Sequence, residues 1–297
     1  MKNFDEIYKE IYNKNFNELE YLRKAKIKKF AITIVIAIIV ILLAAQSVAV
    51  FIPYIFIIIM MILVFSMAFG NGKYKKKFKK TVIASFIKNL DENLNYYPEK
   101  KMDSALYTQG EFESYDNYYS EDTIEGLLDG KYRIRMSEIR TEEENRDSDG
   151  DTHTYTVFHG IFGYIECPKN IKTTLKIRSD KGILGNLFSE KTKLEMDSSE
   201  FEKYFDINTE NRIIAMQILT SDVMAMMIDF VKETKIKYEL TIKVNHIYIR
   251  FHTGEVFEPR MFKKSLDYDT LKKYYAIIDF VFKVSREMNK VIENTEI

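Results

Sequence analysis

From Phe30 to Gly70 the chain contains no charged residue, and apart from Gly70 that run is 40 residues, almost all Ile, Val, Ala, Leu, Phe and Met. An α-helix crosses the hydrocarbon core of a bilayer, roughly 30 Å thick, with about 20 residues. The run is therefore too long for one helix and long enough for two. Its weakest point is Gln46-Ser47, with Pro53 shortly after, where a missing N–H in the first turn of a helix costs little. The expectation is a transmembrane hairpin at residues 30–70, with spans from about Phe30 to Ala45 and from about Val50 to Phe69. A cleaved signal peptide does not fit, because its apolar core is about 7–15 residues and this run follows 29 polar-rich residues.

The flanks orient the hairpin. Arg23, Lys24, Lys26, Lys28 and Lys29 precede the run, Lys73, Lys75, Lys76, Lys77, Lys79 and Lys80 follow it, and the turn is uncharged. Basic loops stay on the cytoplasmic side, so both chain ends are expected in the cytoplasm of a multi-pass inner-membrane protein. The same residues would attract anionic headgroups. The net charge of zero hides an imbalance: the first 80 residues hold 14 Lys+Arg against 5 Asp+Glu, and residues 81–297 hold 30 against 39. An acidic C-terminal region argues against nucleic-acid partners, which need basic residues to neutralise phosphates. Cys167 is the sole cysteine, which excludes intramolecular disulfides and cysteine-rich zinc sites.

Around the hairpin the periodicity predicts an α+β chain with an antiparallel sheet and packed helices. Residues 1–29 read as a cytoplasmic amphipathic helix through Phe4, Ile7, Ile11, Phe16, Leu19 and Leu22, packed on its own domain. Residues 71–100 hold a basic juxtamembrane helix whose Tyr74, Phe78, Val82, Phe86 and Leu90 recur every four residues, ending near Asn95 before Pro98. The rest, 101–297, is the α+β domain. Residues 105–122 look irregular. Strands are expected at Tyr132–Met136 and Thr154–Ile165 around a polar loop from Thr141 to Asp151, and at Lys172–Ile177 and Lys191–Met196 around a Gly182/Gly185 loop. A short helix follows Ser198, a firmer one opens at Thr220, a hairpin of Tyr238–Val244 and Ile247–Phe251 turns at Asn245-His246, and a helix from Asp267 to Asn294 closes the chain.

No chemistry-bearing motif is complete. Asn145-x-Asp147-x-Asp149-Gly150-Asp151 follows the opening of a calcium loop, whose alternate oxygens wrap a hard cation. The twelfth position is Thr156 where a bidentate Glu is required, so a solvated hairpin tip is the expectation and cation binding by Asp147–Asp151 stays open. His153, His159, His246 and His252 form no helical i, i+4 pair and no His-Glu-x-x-His element. Gly182-Ile-Leu-Gly185 lacks the lysine of a phosphate loop, Cys167 has no activating neighbour, and no Gly-x-Ser-x-Gly elbow occurs. No catalytic, cofactor-binding or metal-ligating residue is assigned.

The order of segments, together with Tyr119–Gly126, Val157–Gly163, Phe201–Phe205, Ile218–Ser221 and Val256–Pro259, resembles the bacterial membrane proteins grouped as domain of unknown function 3137. The resemblance implies the architecture and supplies no activity or functional residue. Each stretch also has a folding meaning: Phe158 and Phe162 share one strand face and can enter a core, and Gly160 and Gly163 permit close backbone approach. The expected function is non-enzymatic, a membrane-tethered cytoplasmic interaction or scaffold module. Its partners would be the lipid bilayer and a membrane-associated protein or further copies of the chain. The alternative is a membrane-bound enzyme with an unrecognised site. A transporter component ranks last, because two spans without an ionisable residue make a poor ion pathway.

Overall fold

A four-residue apolar repeat is slightly too long for an α-helix, and the protein answers it with a change of helix type. At 3.6 residues per turn, side chains four apart drift by about 40° per step. In the computed structural model, α2 (Gly72–Phe78) passes into a π turn (Lys79–Ile83) and then into α3 (Ala84–Leu90). The wider π turn takes up the drift. Tyr74, Phe78, Val82, Phe86 and Leu90 are all buried as a result.

The structure describes residues 3–44, 58–59, 72–179 and 193–294. They divide into two units, one of Ile87–Phe257 with Lys272–Ile297 and the other of Lys2–Phe86 with Glu258–Leu271.

The second unit is built on α1, a single helix from Phe4 to Ala44. The expected amphipathic helix is present but does not stop before the apolar run; it continues through Phe30 into it. Phe4, Ile7, Ile11 and Leu19 are buried along one side. Phe4 packs on Phe86 and on Tyr268, with ring centroids 6.2 Å and 5.0 Å away. Residues 258–271 are strapped to α1 by polar contacts: Tyr8 Oη donates to the Leu266 carbonyl at 3.0 Å, and Arg23 Nη1 to that of Met261 at 3.0 Å. Among the described residues no single helix is long and apolar enough to cross a membrane. The predicted span from Val50 to Phe69 and the turn before it lie outside the described residues, apart from Ile58 and Ile59.

The first unit is α+β, with a seven-stranded antiparallel sheet and packed helices. Its strands are β1 (Leu94–Tyr97), β2 (Asn117–Leu128), β3 (Tyr132–Arg146), β4 (Thr152–Arg178), β5 (Lys193–Leu194), β6 (Asp206–Thr209) and β7 (Tyr238–Phe251). The order is β1-β2-β3-β4-β6-β5, and β7 also pairs with β4. β4 is the spine: Thr152–Ile165 pairs with β3, and Ile161–Ile177 with β7. From Gly160 to Ile165 every residue is buried, because both faces of the sheet are covered there. Gly160 is required by contact, since a Cβ on it would stand 1.9 Å from the Phe251 carbonyl oxygen.

Several sequence expectations need correction. The juxtamembrane helix ends at Leu90, where the Asp91 carboxylate accepts the Asn93 N–H at 2.9 Å and turns the chain into β1. The stretch 105–122 is ordered, holding a helix α4 (Ser104–Gln109) capped by Asp103 and the start of β2. The loop from Thr141 shrinks to residues 147–151, because β3 runs to Arg146. Lys172–Ile177 is not a separate strand but the end of β4; of the expected strand Lys191–Met196, residues 191–192 lie outside the described residues and β5 covers Lys193–Leu194. The Gly182/Gly185 loop lies outside the described residues. The helix after Ser198 is one 3-10 turn (Phe201–Lys203), and β6 and α5 (Arg212–Ile218) follow it. There is no hairpin at Asn245-His246: β7 runs unbroken past it, both halves pairing with β4, and the register shifts on either side of Val244 (φ 56°), where β4 holds the extra residues. Two helices come close to their expected bounds. Thr220 caps α6 (Ser221–Thr234), and α7 is Tyr268–Asn294.

Candidate functional site

Alternation along β7, changing parity around Val244, gives the strand two chemically different sides. Leu240, Ile242, Ile247, Ile249 and Phe251 pack into one core, while Glu239, Thr241, Lys243, Tyr248 and Arg250 line the other face. That second face is covered by residues 102–118, whose Met102, Tyr107, Phe112, Tyr115 and Tyr118 pack with Phe158, Phe162, Tyr164 and Tyr248. The cover is aromatic, and a charge network lies within it.

Arg250 is buried at the centre of that network. Its Nη2 stands 2.8 Å from Glu239 Oε2, its Nη1 donates to Tyr107 Oη at 2.8 Å, and Glu113 pairs with the same nitrogen. Tyr107 in turn donates to Glu113 at 2.5 Å. Arg178, from the end of β4, donates to the Leu240 carbonyl at 2.8 Å, to Thr241 at 3.0 Å and to the Glu111 carbonyl at 3.1 Å. Both guanidiniums lie against the Phe112 ring, 4.7 Å and 4.5 Å from its centre. Burial pushes the Tyr107 hydroxyl up to about 12, so it serves as a proton-bearing donor. Burial likewise lowers both arginines from their ordinary values, opposed in part by Glu239 and Glu111 at Arg178 and by Tyr107 at Arg250.

This arrangement holds a segment in place. Two guanidiniums face two carboxylates, and every donor named is engaged. The sequence reading missed all four charged residues, which come from β4, β7 and the loop before β2. The available signal was Arg250, a charge between Ile249 and Phe251 in a strand whose apolar positions alternate.

The sequence candidates are scattered. In the acidic loop, Asp147 Oδ1 already accepts the N–H groups of Asp149 at 3.0 Å and Asp151 at 2.9 Å, and His153 Nε2 stands 3.2 Å from its other oxygen. These bonds hold the Asp147 carboxyl below the usual carboxylate range and build a hairpin tip. His159 faces Glu138 at 3.0 Å, His252 faces Glu239 at 3.5 Å, and His246 lies on the Tyr164 ring. Among the described residues no histidine or cysteine stands in a group of three potential metal ligands. Cys167 is buried, and desolvation pushes its thiol up to about 12.

The basic residues around the apolar run belong to the second unit and fall into two classes. Lys24, Lys28, Lys29, Lys73, Lys76 and Lys80 are exposed. Arg23, Lys26, Lys75 and Lys77 are half-buried; Arg23 stands 2.5 Å from Glu20, Lys75 2.6 Å from Glu258 and Lys77 2.8 Å from Glu18. Lys79 is the exception to the expected basic surface. It is 2% exposed, and its ammonium stands 2.6 Å from Glu258.

Comparison with known proteins gives a family match over part of the chain and little else. No curated protein matches the chain. The crystal structure of the mycobacterial trehalose monomycolate transport factor A, TtfA, is similar at 9% identity and a TM-score of 0.39, over 73% of this chain and 93% of that one. A likeness of that size says nothing of function. Residues 156–290, which hold most of β4, all of β7 and most of α7, match the family described as "Protein of unknown function (DUF3137)", the same family that the sequence resembles.

Proposed function

We propose that the chain is a membrane-tethered module. Residues 30–70 anchor it in the inner membrane with both ends in the cytoplasm, and the α+β unit presents a surface to a membrane-associated protein or to further copies of the chain. One observation carries the reading: α1 is continuous from an amphipathic, partly buried stretch into the uncharged run after Phe30, so the run begins as helix and not as loop. Six exposed lysines, three before the run and three after it, support the orientation.

Alkaline carbonate extraction of membranes from cells expressing the full chain tests the anchor, and the protein is expected in the pellet. Recovery in the soluble fraction would overturn the anchor. Protease added outside intact cells tests the orientation, and the α+β unit is expected to survive until the membrane is permeabilised. For the partner, cross-linking in native membranes should give a discrete higher-mass species. A monomer with no stoichiometric companion would sink the interaction reading.

A further inference from the structure

A segment far along the chain stands beside the first residue of the apolar run. The Phe262 ring packs edge-on against Phe30, with centroids 6.4 Å apart. Phe262 is nevertheless 73% exposed, the most exposed large apolar side chain among the described residues. Arg260, Lys263 and Lys264 flank it and are exposed too. The segment's one acidic residue before Asp267, Glu258, is turned toward Lys75 and Lys79 at 2.6 Å each. The position is fixed by Arg23, which donates to the Met261 carbonyl at 3.0 Å, and by Glu20, which accepts the Ser265 N–H at 3.3 Å. Glu20 and Arg23 are themselves paired, and Arg23 holds the Glu20 carboxyl well below the usual carboxylate range.

An exposed aromatic ring among cations suits the boundary between headgroups and acyl chains, where the ring enters the apolar layer and the cations meet phosphates. Exposed elsewhere, such a ring would need no explanation. Here it adjoins Phe30, and Lys28 and Lys29 on α1 are exposed just before it. We propose that Arg260–Lys264 is a second membrane-contacting element, inserting Phe262 into the interface of a bilayer containing anionic lipid and clamping α1 where it enters. This rests on residues 30–70 being a membrane anchor.

The test uses the full chain reconstituted in vesicles, with an environment-sensitive thiol probe on Phe262→Cys, on Ile36→Cys within the apolar run, or on Ile213→Cys, an exposed residue of α5. Cys167 is buried with its thiol pushed up to about 12, so labelling should be confined to the introduced thiol, with the parent chain as the check. In phosphatidylcholine–phosphatidylglycerol vesicles the probes at Phe262 and Ile36 should both show blue-shifted emission quenched by a lipid-borne quencher, while that at Ile213 stays aqueous. Adding Lys264→Ala to Phe262→Cys should lower the ratio of inserted to free probe about fivefold, and Lys263→Ala, whose ammonium is shared with Asp267 at 3.1 Å, should lower it less. An aqueous signal at Phe262 with a quenched one at Ile36 overturns this proposal and leaves the anchor standing. An aqueous signal at both overturns the anchor and this proposal together. Equal insertion into pure phosphatidylcholine would overturn the requirement for anionic lipid.

Discussion

The two faces of the sheet in the first unit are held by opposite means. On one, Phe251 packs with Phe230 and Phe280, and Phe280 stacks on Phe230 at 4.3 Å and meets Tyr238 at 4.9 Å, all carbon against carbon. On the other, one residue away along the same strand, Arg250 is surrounded by Glu113, Glu239 and Tyr107. The apolar face gains from burial at about 1.5–3 kcal/mol per large side chain and tolerates modest shifts. The polar face gains little net energy from its charges and depends on their geometry, because each partner becomes a liability once the other is gone. The first face supplies stability. The second fixes which segment covers the sheet and in what register.

The largest break would strike both faces together. Gly160→Ala places a Cβ against the Phe251 carbonyl oxygen, a backbone atom that cannot swing aside. Little folded protein is expected, as circular dichroism and soluble yield would show. Next, Phe280→Ala should cost about 3–5 kcal/mol in denaturant unfolding by leaving a cavity, and Arg250→Met about 2–4 kcal/mol by stranding the half-buried Glu113 and Glu239. The faces part company on rescue. Adding Glu113→Leu to Arg250→Met should recover much of the loss, whereas no single polar change can refill the site of Phe280.

A smaller effect concerns pH. The folded-state value of Tyr107 is raised from 10.0 to about 12, so its contribution is whole below pH 10 and is lost as pH rises from 10 to 12. Alkaline unfolding should be shallower across that window in Tyr107→Phe, and an unchanged slope would mean that Tyr107 does not carry it. The smallest change sharpens the boundary between the faces. Val244 is β-branched with φ 56° and half exposed, so Val244→Gly should be neutral or stabilising by up to about 1 kcal/mol.

Local chemistry made the helices and the apolar face legible. Thr220 and Asp267 sit at helix starts, and their oxygens accept the N–H groups of Val223 at 3.3 Å and Thr270 at 3.1 Å. Phe158 and Phe162 do share a face, both resting on Tyr107. The false hairpin in β7 has a clear origin. Its apolar positions move from even numbers (240, 242) to odd ones (247, 249, 251), and the change of parity comes with a shift of register against β4 on either side of Val244, not with a turn. The charge network was illegible because its members lie up to 143 residues apart, and no local spacing records a pairing made by the sheet. The basic flanks were legible as a cluster, but the burial of Lys79 depends on Glu258, 179 residues later.

Glu258–Leu271 has a practical consequence for anyone cutting this chain. The segment belongs with α1, yet in sequence it interrupts the other unit. A fragment starting at Gly72, the obvious way to shed the apolar run, keeps these residues and discards Tyr8, Glu20 and Arg23, which fasten them. Leu266, now buried, would meet water, and the carbonyls of Met261 and Leu266 would lose their donors. Such a fragment is a protein with an open seam. A cleaner excision would remove 258–271 along with the N-terminal helices and bridge Phe257 to Lys272 with a designed connection.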